Sequence, residues 1–144
     1  MTLVARNSPK LTLAGAQAVL AAAQKRAAEI GIPMDIAVVD DGGHLLAFAR
    51  MDGAKLSSVE IAYRKAHCAA IRRQPTGPAR SGDEINMLAS LSLAISSGGR
   101  QIALRGGVPL QIEGVCIGAI GVSNGSEDQD LDVASAGVKA LDHA

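Results

Sequence analysis

The stretch Ile36-Ala37-Val38-Val39-Asp40-Asp41-Gly42-Gly43-His44-Leu45-Leu46-Ala47-Phe48-Ala49-Arg50 decides the fold. Its first four residues are apolar without alternation, as in a strand covered on both faces. Asp-Asp-Gly-Gly signals a turn, because glycine accepts positive φ and aspartate bonds its own backbone. His44 to Arg50 reads as the returning strand, so the segment is a β-hairpin. A hairpin here commits the sheet to antiparallel pairing.

Working outward, Thr12 is placed to cap a helix that runs to about Ile30. Leu13, Ala16, Leu20, Ala23, Ala27 and Ile30 form its apolar stripe. Gly31 and Pro33 then end it in the usual order. Beyond the hairpin, Ser57 with Glu60 is a capping-box pattern that predicts a helix to about Arg73, stopped before Pro75. Ser81 with Glu84 repeats the pattern and predicts a third helix through about Ser96, ended by Gly98-Gly99. Gln74 to Gly82 is a connecting loop. Arg105-Gly106-Gly107-Val108-Pro109 leads into a strand around Leu110 to Ile112, and Glu113-Gly114 turns the chain. Val115 to Val122 is a long apolar strand carrying Gly118 and Gly121, a sign of close approach by another backbone, a helix or a ligand. Ser126 with Gln129 opens a last helix whose Leu131, Ala134, Val138 and Leu141 share a face. Local hairpins with helices between them describe an α+β chain, a mainly antiparallel sheet covered by helices, in one domain over residues 1–144.

Composition narrows the function. Fourteen basic and fourteen acidic residues balance to zero net charge, and the only aromatics are Phe48 and Tyr63. Neither the basic stripe nor the stacking rings that nucleic acid requires are present. Packing must rely on Ala, Leu, Ile and Val, and the neutral surface offers little resistance to self-association. The Ala-rich stretch from Leu13 to Ile30 is broken by Gln17, Gln24, Lys25, Arg26 and Glu29, so it does not span a bilayer. Met1 to Lys10 lacks the apolar run of an export signal, and the expectation is a cytoplasmic protein with Cys68 and Cys116 as free thiols.

Candidate chemistry sits at several places. Lys65 projects from or beside the apolar stripe of its helix. It is either a base, Schiff-base former or carboxylate anchor with a lowered pKa, or a stem that covers apolar surface while its head reaches water. His67 is a proton carrier, a haem ligand or a half-buried structural histidine. Its neighbour Cys68 points about 100° away and suits the core. His44 is a solvated turn residue, and His143 belongs to a fraying end. Histidines so scattered make no preformed metal centre. Arg50 is placed either to clamp a carboxylate or to pair with Asp40 or Asp52. The Gly106-Gly107 loop and the Gly121 to Ser126 turn offer backbone N–H groups. Glu127, Asp128, Asp130 and Asp132 already complement the last helix's dipole there and would repel a phosphate.

Five ordered segments are similar to one known family. They are Val38 to Leu46, Ala49 to Ala54, Lys65-Ala66, Gly106-Gly107-Val108-Pro109, and Ile117 to Ser123 with Asp130 beyond. Together they resemble the GlcG/HbpS-like, or haem-degrading domain, family over roughly Leu11 to Leu141. The resemblance implies a profilin-like three-layer sandwich with an antiparallel five-stranded sheet and helices on both faces. It also implies a homo-oligomer, a dimer or larger. The family spans haem-binding proteins, proteins encoded with glycolate-utilisation genes, a domain fused to a cobalamin adenosyltransferase, and opine synthases, so fold alone does not fix chemistry. Two readings follow. One is a small-ligand-binding protein that, by resemblance, binds or degrades haem, with His67, His44 or Met51 as the haem ligand. The other is a metal-independent enzyme on a small carboxylate, in which Arg50 holds the carboxylate, Lys65 or His67 moves a proton and Asp40 orients one of them. Met51, Gly106, Gly107, Pro109, Gly121 and Ser123 are the candidate ligand contacts in either case.

Overall fold

The computed structural model describes residues 1–142, and His143 lies outside them. The elements run α1 (Leu13–Ile30), β1 (Asp35–Asp40), β2 (Leu45–Arg50), α2 (Ser58–Arg72), β3 (Arg80–Ser81), β4 (Glu84–Ile85), α3 (Met87–Ser96), β5 (Gly107–Ile112), β6 (Val115–Ser123) and α4 (Glu127–Lys139). The main sheet has the order β2-β1-β6-β5, with every neighbouring pair antiparallel. Among the described residues it has four strands, where the resemblance implied five. β3 and β4 form a separate two-stranded hairpin.

Helices cover both faces of the sheet. Side-chain alternation along β1 sends Ile36 and Val38 one way and Ala37 and Val39 the other. The first pair joins Ala16, Val19, Ala23, Ile120, Val122 and Val133 in a core beneath α1 and α4. The second joins Ala62, Ala66, Ala69 and Ala119 in a thinner core beneath α2. Arg26 of α1 reaches Asp132 of α4 at 2.9 Å and ties the two helices at the surface.

Several local expectations are met and others are corrected. Thr12 caps α1 by accepting from the Gly15 N–H at 3.0 Å, and Gly31 closes the helix at φ 73°. The buried face of α1 is Ala16, Val19, Ala23 and Ala27, whereas Leu13 is exposed. Ser126 and Gln129 make the full capping box of α4. Ser57 does not cap α2: its backbone is helical, its hydroxyl makes no cap bond, and Glu60 instead accepts from Arg64 at 2.8 Å. Ser81 and Glu84 do not open a helix either. Gly82 at φ 63° turns them into the β3–β4 hairpin, and α3 starts later under an Asn86 cap that accepts from the Ala89 N–H at 2.9 Å.

Candidate functional site

The two flanks of α2 differ sharply, and between them they hold most of the candidate residues. On the flank toward β5 and β6, helix and sheet lie so close that only glycine fits. A Cβ on Gly121 would stand 2.1 Å from the Ala62 carbonyl oxygen, and one on Gly107 would stand 2.3 Å from that of Lys65. Gly107 pairs with Gly121 and Pro109 with Ala119 in the β5–β6 ladder. Pro109 is tolerated there because β5 is an edge strand. Gly107, Pro109 and Gly121 are thus packing positions beneath α2.

Lys65 belongs to this closed flank. Its Nζ donates to the Val122 carbonyl at 2.8 Å and to Asp130 Oδ2 at 2.9 Å. Lysine and aspartate are both almost fully buried. The lysine head therefore does not reach water. Asp130 Oδ1 accepts from the Gly125 N–H at 2.9 Å, so both its oxygens are engaged. Burial pushes the Asp130 carboxyl above its ordinary range, and Lys65 and the Gly125 N–H pull it back. Gly106 lies against the pair, where a side chain would meet the Lys65 Nζ at 3.0 Å. Asp130 does more than complement a helix dipole: it receives a buried cation.

The flank toward β2 is open. Leu45 and Phe48 of β2 face Val59, Glu60 and Tyr63 of α2 across a trough of about 500 Å³. That size lies within the roughly 300–1,000 Å³ range of small-molecule sites. Both of the chain's aromatics line it. Sequence reading noted how few aromatics there are but not that they meet, since the hairpin and α2 must first be docked.

The β1–β2 turn lies beside Tyr63 at one end. Asp40 Oδ1 accepts from the Gly42 and His44 N–H groups, each at 2.9 Å, so Asp40 orients the turn rather than Lys65 or His67. The Gly43 carbonyl receives the Tyr63 hydroxyl at 3.3 Å and contacts His67 Nδ1 at 3.0 Å. Because a carbonyl only accepts, the proton of the neutral ring sits on Nδ1 and the lone pair on Nε2. Gly43 has φ 81°, and a Cβ there would stand 2.4 Å from His67 Nδ1, so only glycine lets the histidine dock. His44 is exposed on the same turn.

Arg50 stands at the other end of β2, two residues past Phe48 on the same face. It is exposed and makes no ion pair with Asp40 or Asp52 among the described residues. Its cross-strand partner is Asp35, which in turn pairs with Ser123. Asp35 is fully buried with neither carboxylate oxygen hydrogen-bonded. Burial raises its pKa, and Arg50 opposes the shift. Met51 turns away from the trough: it packs against the α1/α4 core, and its Sδ accepts from the Met34 N–H at 3.4 Å. Arg50, Lys65, His67 and Asp40 accordingly do not converge on one point. Among the described residues, no helix is long and apolar enough to cross a membrane.

Comparison with known proteins agrees with this architecture. The chain is 40% identical over 108 residues to Protein GlcG of Escherichia coli K12, covering 75% of this chain and 77% of that protein. The crystal structure of Klebsiella pneumoniae protein ORFY superposes with a TM-score of 0.87 at 31% identity, over 100% of this chain and 99% of that one. A PduOC:heme complex superposes with a TM-score of 0.81 at 28% identity, over 92% and 96% of the two chains. Residues 11–139 match the family described as "Haem degrading protein HbpS-like", and the chain belongs to that family.

Proposed function

We propose that this protein binds a flat, largely apolar small ligand, haem being the leading candidate, in the trough between β2 and α2. The observation that carries the reading is the gathering of Phe48 and Tyr63, with Leu45 and Val59, around one opening. In a chain with no other aromatics, two half-buried rings on an open flank provide a surface for a planar ring system. The polar ends suit haem as well. His67 offers an Nε2 lone pair while its Nδ1–H is held by a backbone carbonyl, the usual support of a metal-ligating histidine. Arg50, on the Phe48 face, would take a carboxylate. Bound haem would supply an iron centre for redox or oxygen chemistry. The complex of the structural neighbour PduOC with heme supports the choice of ligand. The carboxylate-enzyme reading has no such gathering behind it, since its four residues are spread over both flanks of α2.

Haemin titration followed by absorbance tests this reading. The protein should develop a saturable Soret band that survives gel filtration. Leu45→Glu should abolish it, and His67→Ala should shift its position. A Soret band identical in the parent and Leu45→Glu, or none in the parent, would overturn the proposal. The two cysteines are unpaired, which suits a reducing cytoplasm. We also propose that the protein is a homo-oligomer, as a neutral surface permits.

A further inference from the structure

Among the described residues, α3 is the one helix with no buried residue. It carries no charged side chain, yet Leu88, Leu91 and Ile95 are 78%, 54% and 79% exposed. Their spacing, three then four residues, puts them on one face. The opposite side, through Ser90 and Leu93, sits over Ile102 and Ala103. The fold thus holds the helix by its inner side and turns an apolar seam outward. A ten-residue helix is marginal alone in water, so such a seam calls for cover.

We infer that this seam pairs with the α3 seam of a second copy of the chain, antiparallel, about a two-fold axis near Leu91 and Ser92. Charge placement selects this occupant. Arg80, Asp83 and Glu84 precede the helix as a net negative end, Arg100 follows it, and all four are exposed. None of them is in a side-chain ion pair among the described residues. In an antiparallel pair each acidic end meets the partner's arginine, and the two helix dipoles oppose. In sequence the midpoint between Leu88 and Ile95 and that between Glu84 and Arg100 both fall at Leu91–Ser92, so an antiparallel pair centred there sets seam on seam and turns each acidic end toward the partner copy's basic end. A parallel pair would set like charges against each other. A lipid surface would favour basic residues around the helix, whereas Asp83 and Glu84 outnumber Arg80 at its entry. The seam itself buries no charge on either side. This inference rests on the reading that the chain self-associates and is independent of the ligand.

The test is molar mass by light scattering and sedimentation over a range of concentrations. Leu91→Glu should drop the mass to that of the next smaller species, with a circular dichroism spectrum and Tm close to the parent's. Arg100→Glu and Glu84→Arg should each raise the dissociation constant roughly tenfold, because each breaks two symmetry-related pairs. The double variant should return it to near the parent value. A monomeric parent would overturn both self-association and this interface. An oligomeric parent whose mass Leu91→Glu leaves unchanged would overturn the interface alone. So would failure of the charge swap to restore assembly. Binding of a monomeric parent to phosphatidylcholine–phosphatidylglycerol vesicles, lost in Leu91→Glu, would assign the seam to lipid instead.

Discussion

One helix, α2, meets the same sheet in two ways. Toward β5 and β6 the facing residues are Gly107, Ala119 and Gly121, and the helix settles until backbone nearly touches backbone. Toward β2 they are Leu45 and Phe48, set against Val59 and Tyr63, and a trough of about 500 Å³ stays open. Side-chain size on one strand face decides which flank closes. The closed flank excludes water well enough to hold an ion pair, and the open flank keeps its rings accessible. One flank therefore answers chiefly for stability, and the other is the one the proposed function assigns to binding.

The largest effect that would break this division lies at Lys65. Lys65→Met keeps the stem and removes the charge, leaving Asp130 buried without its cation. Such a loss costs about 3–5 kcal/mol. Its pH dependence follows from the raised carboxyl. Below the ordinary Asp value of about 3.9 the group is protonated in both folded and unfolded chains, and no charge penalty applies. As pH rises toward the folded value, the unfolded chain releases its proton first and the penalty grows. The stability gap between parent and Lys65→Met in urea melts should therefore widen from acid to neutral pH. A gap that is flat with pH would mean that the pair is not buried as described. Lys65→Met with Asp130→Leu should recover part of the loss.

Gly121→Ala comes next. Its methyl would sit within 2.4 Å of both the Ala62 carbonyl oxygen and the Ala66 nitrogen, backbone atoms that cannot swing aside. α2 would have to lift, at about 2–3 kcal/mol, the upper part of the overpacking range. Thermal denaturation would measure it, and a loss below about 0.5 kcal/mol would show that the flank is loosely packed.

How much of this was legible in the sequence depends on distance along the chain. The β1–β2 hairpin, the Thr12 cap and the Ser126–Gln129 box are written within a few residues, and the structure has them. The boxes expected at Ser57 and Ser81 share the same letters but fail, because the backbone there is set by turns that the letters do not encode. At Ser57 the chain is already helical, and at Gly82 it reverses. The site follows the same rule. Arg50 and His67 stand out locally by type; the structure sets His67 against the Gly43 carbonyl and leaves Arg50 exposed at the end of β2. That Lys65 would meet Asp130, 65 residues on, or that Phe48 would meet Tyr63, required the docked sheet. Gly121 gave a usable signal: glycine inside an apolar strand announced a close approach by a backbone, a helix or a ligand, and the approaching element is the α2 backbone.

On the open flank, Phe48→Ala should separate the two roles of α2. The ring is half-buried, so its removal should lower stability by only about 1–2 kcal/mol. Haemin affinity should fall at least tenfold, equivalent to about 1.4 kcal/mol. Equal affinity in the two proteins would detach the rings from binding and leave the trough a packing gap.

The smallest effect tests the row where the two flanks meet, Arg50–Asp35–Ser123. Asp35 lies on the α2 face of β1, buried, with only the exposed Arg50 opposing its desolvation. Neutralising it in Asp35→Asn should stabilise the fold by on the order of 1 kcal/mol at neutral pH. The sign follows from the raised pKa. Above the folded value both states of the parent are ionised, and the parent carries the whole burial penalty. Below about 3.9 both are protonated and the advantage of the variant vanishes. The Tm difference should thus shrink steadily on acidification. A variant less stable than its parent at neutral pH would mean that the carboxylate is paired in solution, with Arg50 as the one opposing cation, and Arg50→Gln should then cost the same amount.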